Sequence, residues 1–273
     1  MLKNDILSTE LKDIQIAVFY LGQEGFIIKY REKYVLTDGY LSDYVDRNCC
    51  NENVIWKRKY PAPMTPEELD FVDYVFCTHS HFDHTDPDTI SGMIKNNTKA
   101  KFYASAAFSD VLKTYGVEEE RIIPAYADKE INLEEITVTP VPAAHEELNI
   151  NENGDYCELG YVFKFGDIKV FHAGDCCVYN GLAERIENTD IAFLPINGRD
   201  FYRLRNDIIG NMDSKEAMLL AKEAKINMVV PMHFDLYEVN EVNPAYFVDC
   251  LYKINANQKF KIFMPAERYI YMK

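Results

Sequence analysis

The sequence lacks any apolar run approaching the roughly 18 residues that a membrane span requires. Its opening residues, MLKNDILSTELKD, also lack the apolar core of a secretory signal, and they carry acids from Asp5 onward. We therefore expect a cytoplasmic protein that is not associated with a membrane.

The cysteines are poorly arranged for structural use. There are seven, an odd number, and none are spaced as the CxxC pair of a zinc ribbon. Two pairs are adjacent, Cys49 with Cys50 and Cys176 with Cys177, which suits a disulfide framework badly. The sequence predicts reduced thiols.

Basic residues are too few to favour binding to nucleic acid. The chain has 29 Lys plus Arg against 44 Asp plus Glu, a formal net charge of −15. Such a charge repels phosphate backbones unless a local basic patch overrides it, and no long run of Lys and Arg is present. We expect no nucleic-acid partner.

The remaining composition is typical of a globular protein that mixes strands and helices. The 273 residues are 48% hydrophobic, contain no low-complexity linker, and predict one domain over 1–273. The predicted strands are Ile14–Tyr20, Phe26–Tyr30, Tyr34–Leu36, Phe71–Cys77, Ile136–Val141, Leu159–Phe165, Ile168–Phe171, Ile191–Leu194 and Met228–Val230. The predicted helices are Pro87–Lys95, Ser105–Tyr115, Leu182–Ile186, Ser214–Ala224 and Pro244–Tyr252. Hairpins followed by alternating strands and helices indicate sheets covered by helices.

Histidine is rare, with six in the chain, yet three lie in the segment HSHFDH at residues 79–84. This segment follows a predicted buried strand and precedes a predicted helix. A loop at the end of a strand can direct His79 and His81 to one point, and Asp83 and His84 to a second. Neutral imidazoles and carboxylates suit Zn²⁺, Mn²⁺ or Fe²⁺, so the segment predicts a metal site.

The other three histidines also accompany strand-like runs. His145 and His233 each follow one, as the ligands proposed above do. His172 lies within a strand, and we interpret it as a structural or ligand-supporting residue. Asp175, directly after the Gly174 turn, is the better ligand candidate because a carboxylate can bridge two cations.

The order HxHxDH, a single His, an Asp in a Gly-Asp step and a last His resembles the metallo-β-lactamase superfamily over nearly the whole chain. The resemblance implies an α/β fold of the αββα sandwich type, with two mixed sheets face to face, outer helices and a metal site at one sheet edge. It also implies two divalent metal ions, Zn or Mn. The implied ligands are His79, His81 and His145 for the first ion, Asp83, His84 and His233 for the second, and Asp175 as the bridge.

Five further segments carry a closer resemblance. They are LGQEGF at 21–26, GDY at 154–156 with LGYV at 159–162, and LPINGRD at 194–200 with NDIIGNM at 206–212. Together they resemble the L-ascorbate-6-phosphate lactonase branch. The resemblance implies a hydrolase that opens a small anionic sugar lactone, such as L-ascorbate 6-phosphate.

Such a site would use its cations to activate water. Two cations sharing a water would lower its pKa from about 15.7 toward about 7, so that hydroxide could attack the lactone carbonyl. Asp83 would orient the nucleophile or carry the proton to the leaving alkoxide. The Asp38-Gly39 step resembles the place where superfamily members keep an Asp behind the ligands, and a simple turn residue is an equal interpretation.

Three arginines within 199–205 follow a predicted strand. Arg binds phosphate or carboxylate through a planar fork, so these side chains could form an anion pocket. On their own they are better read as a solvated loop paired with neighbouring aspartates. The resemblance favours Asn197 and Arg199 as substrate-binding residues, with Arg205 beside them.

Two other functions stay open. A phosphodiesterase or nuclease of the same fold is opposed by the net charge of −15. A non-catalytic metal-binding module is opposed by the ligand set, since structural sites are usually closed by four ligands. The 19 Tyr and 16 Phe suit either core packing or a subunit interface, which leaves a homo-oligomer open.

Overall fold

Two mixed seven-stranded sheets form the centre of the structure, a computed structural model that describes residues 2–273. The strands are β1 (Gln15–Gly22), β2 (Gly25–Tyr30), β3 (Lys33–Thr37), β4 (Tyr74–Phe76), β5 (Lys101–Ser105), β6 (Ile122–Ala125), β7 (Ile131–Leu133), β8 (Ile136–Pro142), β9 (Leu159–Phe165), β10 (Ile168–His172), β11 (Ile191–Pro195), β12 (Met228–Met232), β13 (Lys259–Phe260) and β14 (Arg268–Met272). The α-helices of the described residues are α1 (Leu2–Ser8), α2 (Tyr44–Asn48), α3 (Pro87–Met93), α4 (Val111–Thr114), α5 (Leu182–Arg185), α6 (Phe201–Arg205), α7 (Ser214–Glu223) and α8 (Pro244–Asn255).

The two sheets share one plan of strand directions. The first sheet has the order β14-β1-β2-β3-β4-β5-β6, and the second has the order β13-β12-β11-β10-β9-β8-β7. In the first, β14 to β3 pair antiparallel and β3 to β6 pair parallel. In the second, β13 to β10 pair parallel and β10 to β7 pair antiparallel. As a result, β3, β4, β8, β10 and β12 end at the same edge of the sandwich.

The main hydrophobic core lies between the two sheets. Phe26 of β2 stacks on Phe193 of β11 with ring centroids 4.1 Å apart, and Phe76 of β4 meets Phe163 of β9 at 5.0 Å. Strands β1 and β2 are buried along almost their whole length, because each covers this core on one face and helices on the other. Burial of both faces explains why these strands are continuously apolar rather than alternating.

Helices cover the outer faces of both sheets. Helices α1, α3 and α4 pack on the first sheet through residues such as Ile6, Ile90 and Leu112, and α5, α7 and α8 pack on the second. Helix α3 begins as predicted, with Pro87 in its first turn and the Asp86 side chain accepting a hydrogen bond from a backbone N–H. The predicted sandwich of two sheets with outer helices is confirmed.

Several predicted elements differ in extent from the observed ones. Of the strand predicted at Phe71–Cys77, only β4 is observed as a strand. The apolar residues at the start of the predicted strand are buried in a turn and do not pair with β3. The helix predicted at Ser105–Tyr115 is wrong in its first half, since Ser105 ends β5 and only α4 is helical. Strands β5, β6, β7, β13 and β14 and helices α1, α2 and α6 were not predicted from the sequence pattern, and most are short.

The seven cysteines, all within residues 2–273, are free thiols. No helix in that described range combines the length and apolar character needed to cross a membrane.

Candidate metal centre

The predicted ligands converge at one edge of the sandwich. The HSHFDH loop follows β4, His145 follows β8, Asp175 follows β10 and His233 follows β12, so each strand delivers its residue just beyond its C-terminal end. The first sheet supplies one part of this cluster and the second sheet supplies the rest. The site therefore lies where the edges of the two sheets meet.

One group of side chains consists of three imidazoles and a carboxylate. The Nε2 atom of His79 lies 2.9 Å from Nδ1 of His81, which in turn lies 3.2 Å from Nε2 of His145. The Oδ2 atom of Asp175 lies 3.4 Å from Nε2 of His145. The ligand atoms of all four residues fall within 4.8 Å of one another, as the donors around one metal ion would.

A second group lies on the other side of Asp175. Its Oδ1 atom is 3.3 Å from Nε2 of His233 and 3.6 Å from Nε2 of His84. The Oδ2 atom of Asp83 faces the same two imidazole nitrogens at 3.6 and 3.8 Å. Asp175 therefore presents one oxygen to each group, which is the placement expected of a bridging carboxylate.

Glu24 joins the second group, although sequence reasoning did not identify it. One of its carboxyl oxygens lies within 4.8 Å of a ligand atom from each of His84, Asp175 and His233. Glu24 occupies the turn between β1 and β2, and burial, reinforced by the charge of Asp175, raises the pKa of its carboxyl well above the usual range. The signal in the sequence was an acid in a short turn between two apolar strands, both of which are buried in the structure.

The loop and the neighbouring strands hold the imidazoles in place. Asp38, directly after β3, accepts hydrogen bonds from the Thr78 backbone N–H at 2.9 Å and from the Thr78 hydroxyl at 2.7 Å. Its Oδ2 atom also lies 2.8 Å from Nδ1 of His84. These contacts favour the interpretation of Asp38 as the residue that supports His84 over that of a simple turn residue. With Nδ1 engaged in this way, His84 directs Nε2 into the cluster.

His233 is attached to the turn that carries Glu24. Its backbone adopts a positive φ of 56°, which is rare for a residue with a side chain. Its N–H donates to the carbonyl oxygen of Gln23 at 3.0 Å, and the Gln23 amide donates to Asp83 Oδ2 at 3.0 Å. Strained backbone of this kind is concentrated at functional sites, where the surrounding contacts hold it in place.

The donor set fits divalent cations. Buried atoms without a hydrogen-bond partner include His84 Nε2, Asp175 Oδ1 and both carboxyl oxygens of Glu24. Each such atom costs about 1–3 kcal/mol if left unpaired. Burial lowers the pKa of His145 to about 4 and that of His79 well below its usual range, so both rings are neutral at pH 7 and their lone pairs can bind metal.

A cleft of about 300 Å³ opens above the cluster. Its floor includes His81, His145, Asp175, His233 and Asp83. The other lining residues are mainly apolar, and within the described chain none is a Lys or an Arg: they are Val45, Cys49, Trp56, Phe82, Asp207, Ile208, Ile209 and Asn240.

The predicted substrate-binding residues lie outside the lining of this cleft. Asn197 is buried and hydrogen-bonds with Asn211 and Asn240. Arg199 forms a two-point ion pair with Glu216, and Arg205 lies in a separate depression. Asn197 is connected to the cleft only through its hydrogen-bond partner Asn240, which lines the cleft. The structure does not bring the three together as an anion pocket.

Comparison with known proteins agrees with this geometry. Residues 35–234 match the family model of the beta-lactamase superfamily domain. The UPF0173 metal-dependent hydrolase of Thermoplasma acidophilum is 30% identical over 220 residues, covering 79% of this chain and 82% of that protein. The corresponding Pyrococcus furiosus protein is 26% identical over 258 residues, covering 92% of this chain and 98% of that protein.

Solved structures share the fold at lower identity. Isothiocyanate hydrolase from Delia radicum gut bacteria has a TM-score of 0.75 at 17% identity, covering 94% of this chain and 100% of the other. Igni18, a metallo hydrolase from Ignicoccus hospitalis, has a TM-score of 0.72 at 19% identity, covering 95% and 99%. The predicted superfamily is confirmed, and this chain belongs to the β-lactamase superfamily as a metal-dependent hydrolase of the metallo-β-lactamase fold.

Proposed function

We propose that this hydrolase opens a small lactone, or cleaves a closely related carboxylic ester, with two divalent cations bound in its cluster. The proposal is carried by Asp175, whose two carboxyl oxygens face two separate groups of donors at the floor of one cleft. The cleft, of about 300 Å³, suits a small substrate.

The first cation would be held by His79, His81 and His145, and the second by Asp83, His84 and His233, with Asp175 between them. When bound, such cations lower the pKa of water and polarise a scissile carbonyl. Zn²⁺ and Mn²⁺ both accept these donors.

Asp83 is the proposed proton carrier. Its side chain lines the cleft and is 18% exposed, unlike the deeply buried Asp175. The hydrogen bond from the Gln23 amide to Oδ2 fixes one carboxylate oxygen toward the cluster. Asp83 can therefore take a proton from the attacking water and pass it to the leaving alkoxide, which a lactone retains as part of the product.

The walls of the cleft favour an uncharged substrate. Trp56, Phe82 and Ile208 offer apolar contacts, whereas the charged side chains in the lining are aspartates. A phosphate or carboxylate would have to rely on the bound cations, because Arg199 is paired with Glu216. The sequence resemblance suggests anionic lactones such as L-ascorbate 6-phosphate. We accordingly propose neutral lactones as the preferred substrates instead.

A panel of neutral and phosphorylated lactones, assayed with protein loaded with Zn²⁺ or Mn²⁺, tests the proposed function. We expect turnover of neutral lactones with a larger kcat/KM than that of phosphorylated ones, and a loss of at least about 100-fold in His81→Ala. Metal analysis of protein purified without added metal should find two ions per chain. Absence of lactone and ester hydrolysis by the loaded protein, or equal rates in His81→Ala, would overturn the proposal.

Asp83→Asn tests the role of the proton carrier. The amide keeps the size of the side chain and removes its basicity, so kcat should fall by about 10²- to 10⁴-fold. The ion held by the three imidazoles of the first group should remain, as measured by metal analysis. Full activity at full metal content would refute the role.

A further inference from the structure

Glu24 is a buried carboxyl without a hydrogen-bonding partner. Its residue exposure is 0%, and neither of its side-chain oxygens has a hydrogen-bond partner. Burying such a group is costly unless a proton or a cation compensates it. A partner is therefore required in the immediate surroundings of the Glu24 side chain.

The imidazole of His84, which lies within hydrogen-bond distance of Glu24, does not meet that requirement. The Oε2 atom of Glu24 lies 2.9 Å from Nδ1 of His84, but Asp38 already lies at hydrogen-bond distance, 2.8 Å, from the same nitrogen. Nδ1 carries at most one hydrogen, and Asp38, fixed by two hydrogen bonds from Thr78, is positioned to accept it. The carboxyl of Glu24 therefore needs a compensating group other than His84.

The other neighbours of Glu24 are ligands of the second proposed cation. One oxygen of its carboxyl and one ligand atom each of His84, Asp175 and His233 lie within 4.8 Å of one another. Resting on the two-cation site proposed above, we infer that Glu24 supplies a further carboxylate ligand to the second cation. The cation would satisfy the carboxyl of Glu24 and the unpaired oxygen of Asp175 together.

The charges of the cluster agree with this assignment. Four carboxylates surround the two donor groups, those of Glu24, Asp38, Asp83 and Asp175. Within the described residues, the cleft above them is lined by no Lys or Arg. Two divalent cations carry the four positive charges that would balance these carboxylates.

Glu24 also makes the two cation positions chemically different. The first has three imidazoles and one carboxylate, whereas the second has two imidazoles and the carboxylates of Glu24, Asp83 and Asp175. Imidazole suits Zn²⁺, and carboxylate oxygen suits harder cations such as Mn²⁺. With Zn²⁺ limited to one ion per chain, the inference therefore assigns Zn²⁺ to the first position and Mn²⁺ to the second.

Metal binding by Glu24→Gln tests the inference directly. Apoprotein would be given one equivalent of Zn²⁺ per chain and then Mn²⁺. Bound ions would be counted by mass spectrometry, and Mn²⁺ affinity would be followed by electron paramagnetic resonance. The wild type should hold one ion of each metal. Glu24→Gln should keep the Zn²⁺ and bind Mn²⁺ at least about tenfold more weakly. The retained Zn²⁺ is the internal check that the variant is folded.

Two further variants complete the design. Asp190→Asn makes the same carboxyl-to-amide change at a buried residue beside the start of β11, at the opposite edge of the sheet, and should bind both ions like the wild type. Glu24→Asp keeps a carboxylate but shortens its reach, so it should weaken Mn²⁺ binding while preserving Zn²⁺. It replaces Glu24→Gln if that protein does not fold.

The results separate the inference from the proposed function. If the wild type takes up fewer than two ions, the two-cation site is wrong and the role of Glu24 is wrong with it. If wild type and both Glu24 variants bind two ions with equal affinity, the two-cation site stands and only the inference is overturned. A protonated Glu24 that merely fills space would give this second result.

Discussion

His172 donates a hydrogen bond from Nε2 to the carbonyl oxygen of Glu24 over 2.9 Å. The other ring nitrogen, Nδ1, accepts from the N–H of Gly174 at 3.2 Å. Both ring nitrogens are thus engaged by backbone, and burial lowers the pKa of the ring, which keeps it neutral. His172 therefore ties the turn that carries Glu24 to the turn that carries Asp175, in agreement with its interpretation as a supporting residue.

His172→Phe should destabilise the protein. A phenyl ring fills similar space but leaves the Glu24 carbonyl and the Gly174 N–H unpaired, which should lower the free energy of unfolding by about 2–4 kcal/mol. Urea denaturation of the apoprotein measures this loss. Tyr179→Phe, which removes one hydrogen bond to a backbone carbonyl at Pro142, is the matched comparison and should cost about half as much. Equal stability of wild type and His172→Phe would contradict the expectation.

Local sequence patterns predicted the ends of strands best where a turn signal follows the strand directly. The strand at Leu159–Phe165 was predicted with its observed ends, because Gly166, with a φ of 58°, forms the following hairpin turn. The residues before β4 were misassigned because Phe71 and Val72 are buried in a turn, and an apolar run does not distinguish a buried turn from a strand.

The site residues likewise fall into those that local sequence predicts and those that depend on the packing of distant segments. His79, His81 and His84 lie in one short loop, so their convergence is a property of local sequence. Glu24 becomes a member of the cluster only when β1 and β2 pack beside strands that come much later in the chain, and its position between two apolar strands does not by itself mark it as a ligand. The pairing of Arg199 likewise depends on Glu216, which is placed by the start of α7.

Arg199→Gln should affect stability more than substrate preference. Arg199 binds Glu216 at 2.6 and 3.0 Å and donates to the carbonyl oxygen of Asn211 at 2.7 Å, so it braces the first turn of α7. Because both side chains are about a third exposed, we expect a loss of about 1 kcal/mol, or about 2–4 °C in Tm. The ratio of kcat/KM for phosphorylated and neutral lactones should stay constant. A selective rise in KM for phosphorylated lactones, at unchanged Tm, would restore the substrate-binding role predicted from the sequence.

Glu158 should make stability depend on pH. Burial raises the pKa of its carboxyl to about 7, opposed by a hydrogen bond from Asn149. Because the folded protein binds this proton more tightly than the unfolded chain, the contribution to stability is present below about pH 4.5 and is lost as the pH rises through about 7. Glu158→Gln removes that loss, so its Tm relative to wild type should increase between pH 5 and pH 8. The exposed Glu152→Gln should show no such trend, and a constant difference for Glu158→Gln would contradict the assignment.

Ile209→Arg should shift the preference of the cleft toward anionic substrates. Ile209 lines the cleft and is 42% exposed, so an arginine there can reach a substrate without being buried. A partly screened attraction of about 1 kcal/mol would raise kcat/KM for a carboxylate-bearing lactone, relative to its neutral methyl ester, by about fivefold. Ile209→Gln has a similar reach without the charge and should leave that ratio unchanged. If the arginine and glutamine variants give the same ratio, the substrate does not bind beside Ile209, and the argument for a neutral substrate, which rests on the lining of this cleft, loses its basis.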